Sequence, residues 1–485
     1  EMIEATVVMG DEVRGGYLEG GEMREEEIKR ALRKGTLEFK LVPVLCGSAY
    51  KNKGIQLLLD AVVDYLPSPL DIGAVKGTDP SDPSIELTRE PSDDEPFSAL
   101  AFKILTDPHV GRLTFIRVYS GVVKAGDMVT NTRTGRKERL GRLLEMHADE
   151  RTDLQELRAG DIGAIPKLRL THTGDTLCSP GRVISLPTVS LPGPNTHGAL
   201  VARSRADLNK LGEGLAALRE EDPTIEYHHV PEIGQTILSG QGELQLAIMA
   251  EELKRRFNVE VDLVEPRVAY LATISGAGES KHRHKKQTGG AGQFAEVWMR
   301  IESLPRGGGV VFTQSLVGSN VDRVFVPSVE KGVNAACACG PFGGFPITDV
   351  KVDFYDGKQH PVDSKDIAFQ IAGKAAFNEA FLAATPKLLE PIIELRVKAP
   401  SDAVGAVLAD LSSRRGRVMG MESDGRFEVV VAQVPQATLY QYSSQLRALS
   451  GGRARHSERF SHHEEVPREH EGRILAEHAR NQHDE

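Results

Sequence analysis

The sequence is poor in everything that would tie it to a membrane or to an oxidising compartment. No run approaches the ~18–20 apolar residues of a spanning helix, and no secretory leader is recognisable in these residues. The four cysteines (Cys46, Cys178, Cys337 and Cys339) are too few and too scattered for a disulfide framework. A reducing cytoplasm is the expected setting. Cys337 and Cys339 form a C-x-C, but tetrahedral zinc needs a second pair of ligands, so small buried thiols are expected there. Also missing is any G-x-x-x-x-G-K-[ST] string. That glycine-rich turn cradles nucleotide phosphates on backbone N–H groups while a lysine and Mg²⁺ neutralise them.

What is present describes a large globular chain. Its 485 residues are 40% apolar and 26% charged, with a net charge of −10. That length predicts about three to five domains. The chain opens Glu1-Met2 instead of on a methionine, and we expect the natural N-terminus to lie further upstream.

Residues 40–47, KLVPVLCG, form a nearly continuous apolar run, the pattern of a strand buried on both faces. After SAYKNKG, a helix follows with Ile55, Leu58, Leu59, Val62 and Leu66 at helical spacing, stopped by Pro67 and Pro69. The stretch 77–96 is rich in proline, serine and acid and reads as a linker. From 97 to 185, short strands are punctuated by Gly126-Asp127, Gly160-Asp161 and Gly174-Asp175, which predicts a small β-barrel. Residues 190–263 then read β-α-β-β-α-β, and the same order returns over 386–460, the ferredoxin-like split unit.

Between those units lies KHRHKKQTGGAGQFAEVW, residues 281–298, the densest positive charge in an acidic chain. We read 281–293 as a polar basic loop and Ala295, Val297, Met299 and Ile301 as one face of the strand after it. Val350, Val352 and Phe354 mark a second strand, followed by the loop 356–363 and a helix carrying Ile367, Ile371, Phe377 and Phe381. If the two strands pair, both loops meet at one end of the module.

At this point a family resemblance emerges. CGSAYKNKG, FKILTDPHVGRLTFIRVYSG, LRAGDIGAI, EEDPT, GQTILSGQGEL, KKQTGGAGQF, VPSVEKG, YDGKQHPVDS, SSRRGRV and FSHHEEVP resemble, in this order, the motifs of bacterial elongation factor G. The resemblance implies a multidomain α+β protein. It would comprise the tail of an α/β GTP-binding domain (1–76), a β-barrel (97–185), and two ferredoxin-like domains (190–263 and 386–460). The remaining part is an elongated tip domain (264–385) with its C-terminal helix (461–485).

It also implies a monomeric, ribosome-dependent GTPase that promotes movement of transfer RNA and messenger RNA. Its partners would be ribosomal RNA and proteins, with transfer RNA and messenger RNA at the decoding site. A recycling or rescue paralogue, and a non-enzymatic RNA-binding protein without a P-loop, are the competing readings.

Residue by residue, the resemblance points to few positions. Ser48 and Ala49 match the guanine-side loop, and an ordinary βα loop is the equal alternative. With the P-loop, N-K-x-D and the early D-x-x-G all missing, this chain is not expected to hold GTP, or Mg²⁺ with it, by itself. His360 and Gln293 match polar residues of the tip. Lys281, Arg283, Lys285 and Lys286 supply local positive charge there, since phosphate attraction is screened beyond about 8 Å and an acidic body discourages general RNA binding. Gly289, Gly290 and Gly292 would let backbone approach a partner closely. Arg414, Arg415 and Arg417 are candidates to grip ribosomal RNA phosphates, or to offset a helix dipole. Gln245, where the family usually has histidine, and the Pro/Gly-rich 187–198 depart from its pattern.

Overall fold

The computed structural model describes residues 24–107, 110–148, 150–286 and 292–483. The backbone divides into two bodies, Glu1–Leu191 with Glu220–Pro223, and Pro192–Arg219 with Thr224–Glu485.

In the first body the helices Glu25–Leu37 and Ile55–Tyr65 are tied by Arg33, which donates to the Asp64 carbonyl at 2.8 Å and to the Asp71 carboxylate at 2.7 Å. Residues 40–47 do not form the expected buried strand. They run without strand pairing, and Val42 and Val44 are 83% and 86% exposed. Apolar composition alone does not make a strand when no strand among the described residues pairs with it. The expected linker is not featureless either. Val75–Thr78 and Glu86–Arg89 pair antiparallel, and Gly77 lies so close to the Ser185 carbonyl that a Cβ would meet it at 2.4 Å. Beyond it, an eight-stranded antiparallel sheet holds residues 98–178, and Gly126, Gly160 and Gly174 take the positive φ that its turns require.

The second body opens with a four-stranded sheet in the order Glu226–Val230, Gln235–Gly240, Thr196–Ala202, Val261–Val264, the ferredoxin-like arrangement. Helices Arg205–Glu221 and Glu243–Phe257 bury Leu211, Leu215, Leu218, Leu246 and Leu253 against it, whereas Leu208 is 59% exposed. The C-terminal unit repeats the order around the 15-residue strand Pro386–Pro400, with Arg455–Glu465 on one side and Phe427–Pro435 and then Arg417–Asp424 on the other.

The module between them is a sheet in the order β1 (Gly278–Lys286), β2 (Gln293–Ser303), β4 (Val350–Lys358), β3 (Val310–Gln314). One face is covered by helices α1 (Val326–Ala338) and α2 (Asp366–Ala383). Ala295, Val297, Met299, Ile301, Val350, Val352 and Phe354 all point into that core, as their alternation predicts. The α2 face differs from the expected one. Ile367 and Ile371 are 46% and 40% exposed, and the core takes Phe369, Phe377 and Phe381 with a stripe of alanines. Small residues win because the two helices touch: a Cβ on Gly332 would meet the Gln370 carbonyl at 2.2 Å. Burying each of the phenylalanines contributes about 1.5–3 kcal/mol.

The last helix, α3 (Arg468–His483), belongs to the same core through Val466 and Ile474, and its His478 stacks on Phe345 at 4.2 Å. Of the C-x-C pair only Cys337 is the buried thiol expected; Cys339 is exposed.

Candidate nucleic-acid interface

The basic run is not a loop. Residues 281–286 are the outer half of β1, an edge strand paired through Lys286↔Gln293 to Gly278↔Ile301. Dense charge hid the alternation. Ser280 faces α2 and donates to the Ala376 carbonyl at 2.6 Å, and His282 approaches Glu379 at 2.8 Å. Lys281, Arg283 and Lys285 therefore lie on the opposite, open face of the sheet. Cations on an edge strand also discourage pairing with other chains.

On that open face β2 presents Phe294, Glu296, Trp298 and Arg300. The Lys281 ammonium sits 4.0 Å from the centre of the Trp298 ring, and Tyr355 of β4 meets the same ring edge-on at 6.1 Å. The indole N–H donates to Glu296 Oε1 at 2.9 Å, and Arg283 donates to Oε2 at 2.6 Å. Burial pushes the Glu296 carboxyl up, but these two donors outweigh it and hold it below the usual range. Burial and a hydrogen bond to Glu279 push Tyr355 up to about 12. These aromatic residues were legible from the start: in FAEVWMRIE, the residues alternating with the core face are F, E, W and R.

At the end of the sheet the loop after β4 folds onto the start of β2. Phe294 N–H donates to the Asp363 carbonyl at 3.0 Å, and Ser364 Oγ donates to the Phe294 carbonyl at 2.8 Å. The His360 ring lies 6.1 Å from that of Phe294. His360 Nδ1 accepts from the N–H groups of Val362 and Asp363 at 3.3 and 3.2 Å, which leaves the proton of the neutral ring on Nε2. The ring is half-exposed. Gly292 lies close to the same loop: a Cβ there would meet the Asp363 carboxylate at 2.7 Å and the side chain would have to shift. Gly289 and Gly290 lie outside the described residues. Gln293 is already engaged, its Oε1 3.0 Å from His284 Nε2. Lys285 and Lys286 are exposed where the strand ends.

The second basic cluster is mostly engaged within its own unit. Arg414 donates to Asp410 at 2.8 Å and to the Thr438 carbonyl, and lies over the Tyr442 ring. Arg415 makes a bidentate pair with Glu390, at 2.7 and 2.8 Å, and Glu390 is 3% exposed. Guanidinium groups spent on buried carboxylates are not free for phosphate. Arg417, on the outer strand of that sheet, stays exposed.

Ser48 and Ala49 sit in a tight turn closed by Ser48 N–H to the Lys53 carbonyl at 2.9 Å and Lys53 N–H to the Ser48 carbonyl at 3.0 Å. The N–H groups of Ser48, Asn52 and Lys53 are thus taken up inside the turn.

Between the two ferredoxin-like units lies a cavity of about 300 Å³, lined in part by His197, Ile393, Tyr442 and Glu458. Glu458 bridges the units. Its oxygens lie 3.3 Å from His197 Nε2 and 3.1 Å from His456 Nε2.

Profiles of elongation factor G match most of the chain: domain 2 over residues 96–180, domain III over 191–265, domain IV over 266–385 and the C-terminus over 387–474. The chain is also similar to a protein of Thermus thermophilus solved by crystallography. The two share 35% sequence identity and a TM-score of 0.75, over 99% of this chain and 69% of that one. Among the described residues no helix is long and apolar enough to cross a membrane.

Proposed function

The chain belongs to the elongation factor G family and is an elongation factor G-like translation factor, and from that premise we propose that it promotes GTP-dependent movement of transfer RNA and messenger RNA on the ribosome. The observation that carries the reading is the meeting of Gly292–Phe294 with the loop bearing His360, at the end of the sheet where Lys285 and Lys286 finish. A half-exposed imidazole with its proton on Nε2 is a hydrogen-bond donor suited to RNA oxygens, and neighbouring lysines hold phosphate nearby. Movement would take place in the cytoplasm, with the factor as a monomer. When GTP and Mg²⁺ are bound, they supply the phosphoryl chemistry that drives the cycle. The 485 residues carry no G-x-x-x-x-G-K-[ST] string, and this chain is not expected to hold them by itself.

The test is His360→Ala in the complete factor, followed by single-turnover translocation and by GTP hydrolysis on ribosomes. Movement should slow by roughly tenfold or more, about one lost hydrogen bond to a charged group, with hydrolysis nearly unchanged. Translocation at the parent rate would refute the assignment.

A further inference from the structure

The open face of the module's sheet carries three aromatic rings, Phe294 beside His360 at the tip and Trp298 with Tyr355 further along. Phe294 and Trp298 are on the same face of β2, about 13 Å apart at strand rise, and Tyr355 stands beside Trp298 on β4. Trp298 is the single tryptophan of the chain. Solvated sheet faces are ordinarily polar, and none of these rings packs into the core beneath.

The charge on this face is graded along the strands. Toward the tip, Lys281, Arg283, Lys285 and Lys358 outnumber Glu296 and Asp356, read from the cross-strand register. Toward the base, Glu279, Glu302 and Asp353 outnumber Arg300 and Lys351. Stacking rings interleaved with cations on an open sheet are the means by which proteins hold unpaired bases and their phosphates together.

We propose that the tip half of this face is a stacking platform for unpaired RNA, with bases on Trp298 and Phe294 and phosphates on Lys281, Arg283 and Lys285. The proposal rests on the RNA-binding reading above and adds the form of RNA and the surface that holds it. The Trp298 hydrogen bond to Glu296 and the edge contact of Tyr355 fix the indole plane in advance. Lys281 covers the ring in the free protein and is the group a base displaces. An exposed cation–π contact is weaker than base stacking, so the exchange is favourable, and the released ammonium remains beside the adjoining phosphate. Duplex RNA, whose bases are already stacked, has nothing to offer the indole.

Because Trp298 is the sole tryptophan, its fluorescence reports on the platform directly. The 485-residue chain is titrated at low salt with oligouridylate and oligoadenylate of roughly ten nucleotides, within the site sizes of such grooves, with duplex RNA, and with heparin as a base-free polyanion. Single-stranded RNA should quench the emission; duplex RNA and heparin should not. Phe294→Ala and Tyr355→Ala, with emission intact, should each weaken oligonucleotide binding, Phe294→Ala by roughly 5- to 150-fold. Lys285→Gln should lower the slope of log affinity against log salt by roughly 0.7. Salt-dependent RNA binding without quenching, equally tight for duplex, overturns the platform and leaves the phosphate contacts standing. No RNA binding by any arm overturns both. If Phe294→Ala does not fold, Phe294→Leu keeps the bulk and removes the ring, and parent affinity in that variant equally overturns the stacking role.

Discussion

Replacing Arg415 with alanine isolates a buried charge. Both oxygens of Glu390 take hydrogens from the Arg415 guanidinium, and Glu390 is 3% exposed, while 29% of the Arg415 side chain meets solvent. Removing one partner of such a pair typically costs about 3–5 kcal/mol, because the remaining carboxylate stays desolvated and unpaired. The partial exposure of Arg415 argues for the lower end, about 3 kcal/mol. For a domain of about 60–100 residues each kcal/mol moves the midpoint by about 4–8 °C, so the transition of the C-terminal unit should fall by roughly 12 °C or more. Arg417→Ala is the contrast. Its exposed side chain should change stability by less than about 0.5 kcal/mol, and its loss should weaken ribosome binding instead. Calorimetry paired with a ribosome-pelleting assay on both variants separates the roles. An Arg415→Ala protein that melts like the parent but binds ribosomes poorly would refute the reasoning. Replacing Glu390 and Arg415 together by Leu and Met should recover most of the lost stability.

Gly332→Ala should destabilise the tip module by about 2 kcal/mol or more, since its Cβ would meet a helix carbonyl at 2.2 Å that cannot yield without separating α1 from α2; an unchanged urea midpoint would contradict the close packing. Burial alone would raise the Glu458 carboxyl, but His197 and His456 outweigh it and hold it below its ordinary 4.5. A lowered folded-state value means stabilisation that is complete above about pH 4.5 and lost as pH falls below it. Glu458→Gln should therefore flatten the acid side of the stability curve, and identical curves for parent and variant would dismiss the role of the bridge. Calorimetry with GTP should show no binding to the 485-residue chain at micromolar concentrations, as expected of a sequence without a phosphate cradle; a measurable heat of binding would contradict that reading.

Strand alternation made the core of the tip module readable, because burial of Ala295, Val297, Met299 and Ile301 follows from the two-residue period alone. Helix α2 was harder. It carries more than one apolar stripe, and the choice of Phe369 over Ile367 depends on how closely α1 approaches, which no local pattern encodes. The basic run was misread because charge density is the signal for a solvated loop, whereas an edge strand tolerates the same residues on its open side. The ion pair of Arg415 was illegible for a different reason. Its partner Glu390 lies 25 residues away on the strand Pro386–Pro400, and a local reading sees only three arginines at a helix end. Residues 40–47 show the converse, an apolar run whose strand character depends on neighbours rather than on itself.

The C-terminal unit leaves the tip module through Thr385 and returns to it at Val466, and both crossings are made by strands rather than by slack chain. The first four residues of Pro386–Pro400 pair with Leu271–Ile274, and the next stretch of the same strand pairs with the C-terminal unit's own sheet. On the other side Val466 N–H donates to the Leu388 carbonyl at 2.9 Å before α3 docks. Mechanically this is a beam clamped at two points. Torque applied to the C-terminal unit is carried into the module by covalent backbone and a hydrogen-bonded ladder, with no swivel where it could dissipate. Dyes placed on the two units should report one narrow distance distribution, and a rotation of one should appear in the other without delay.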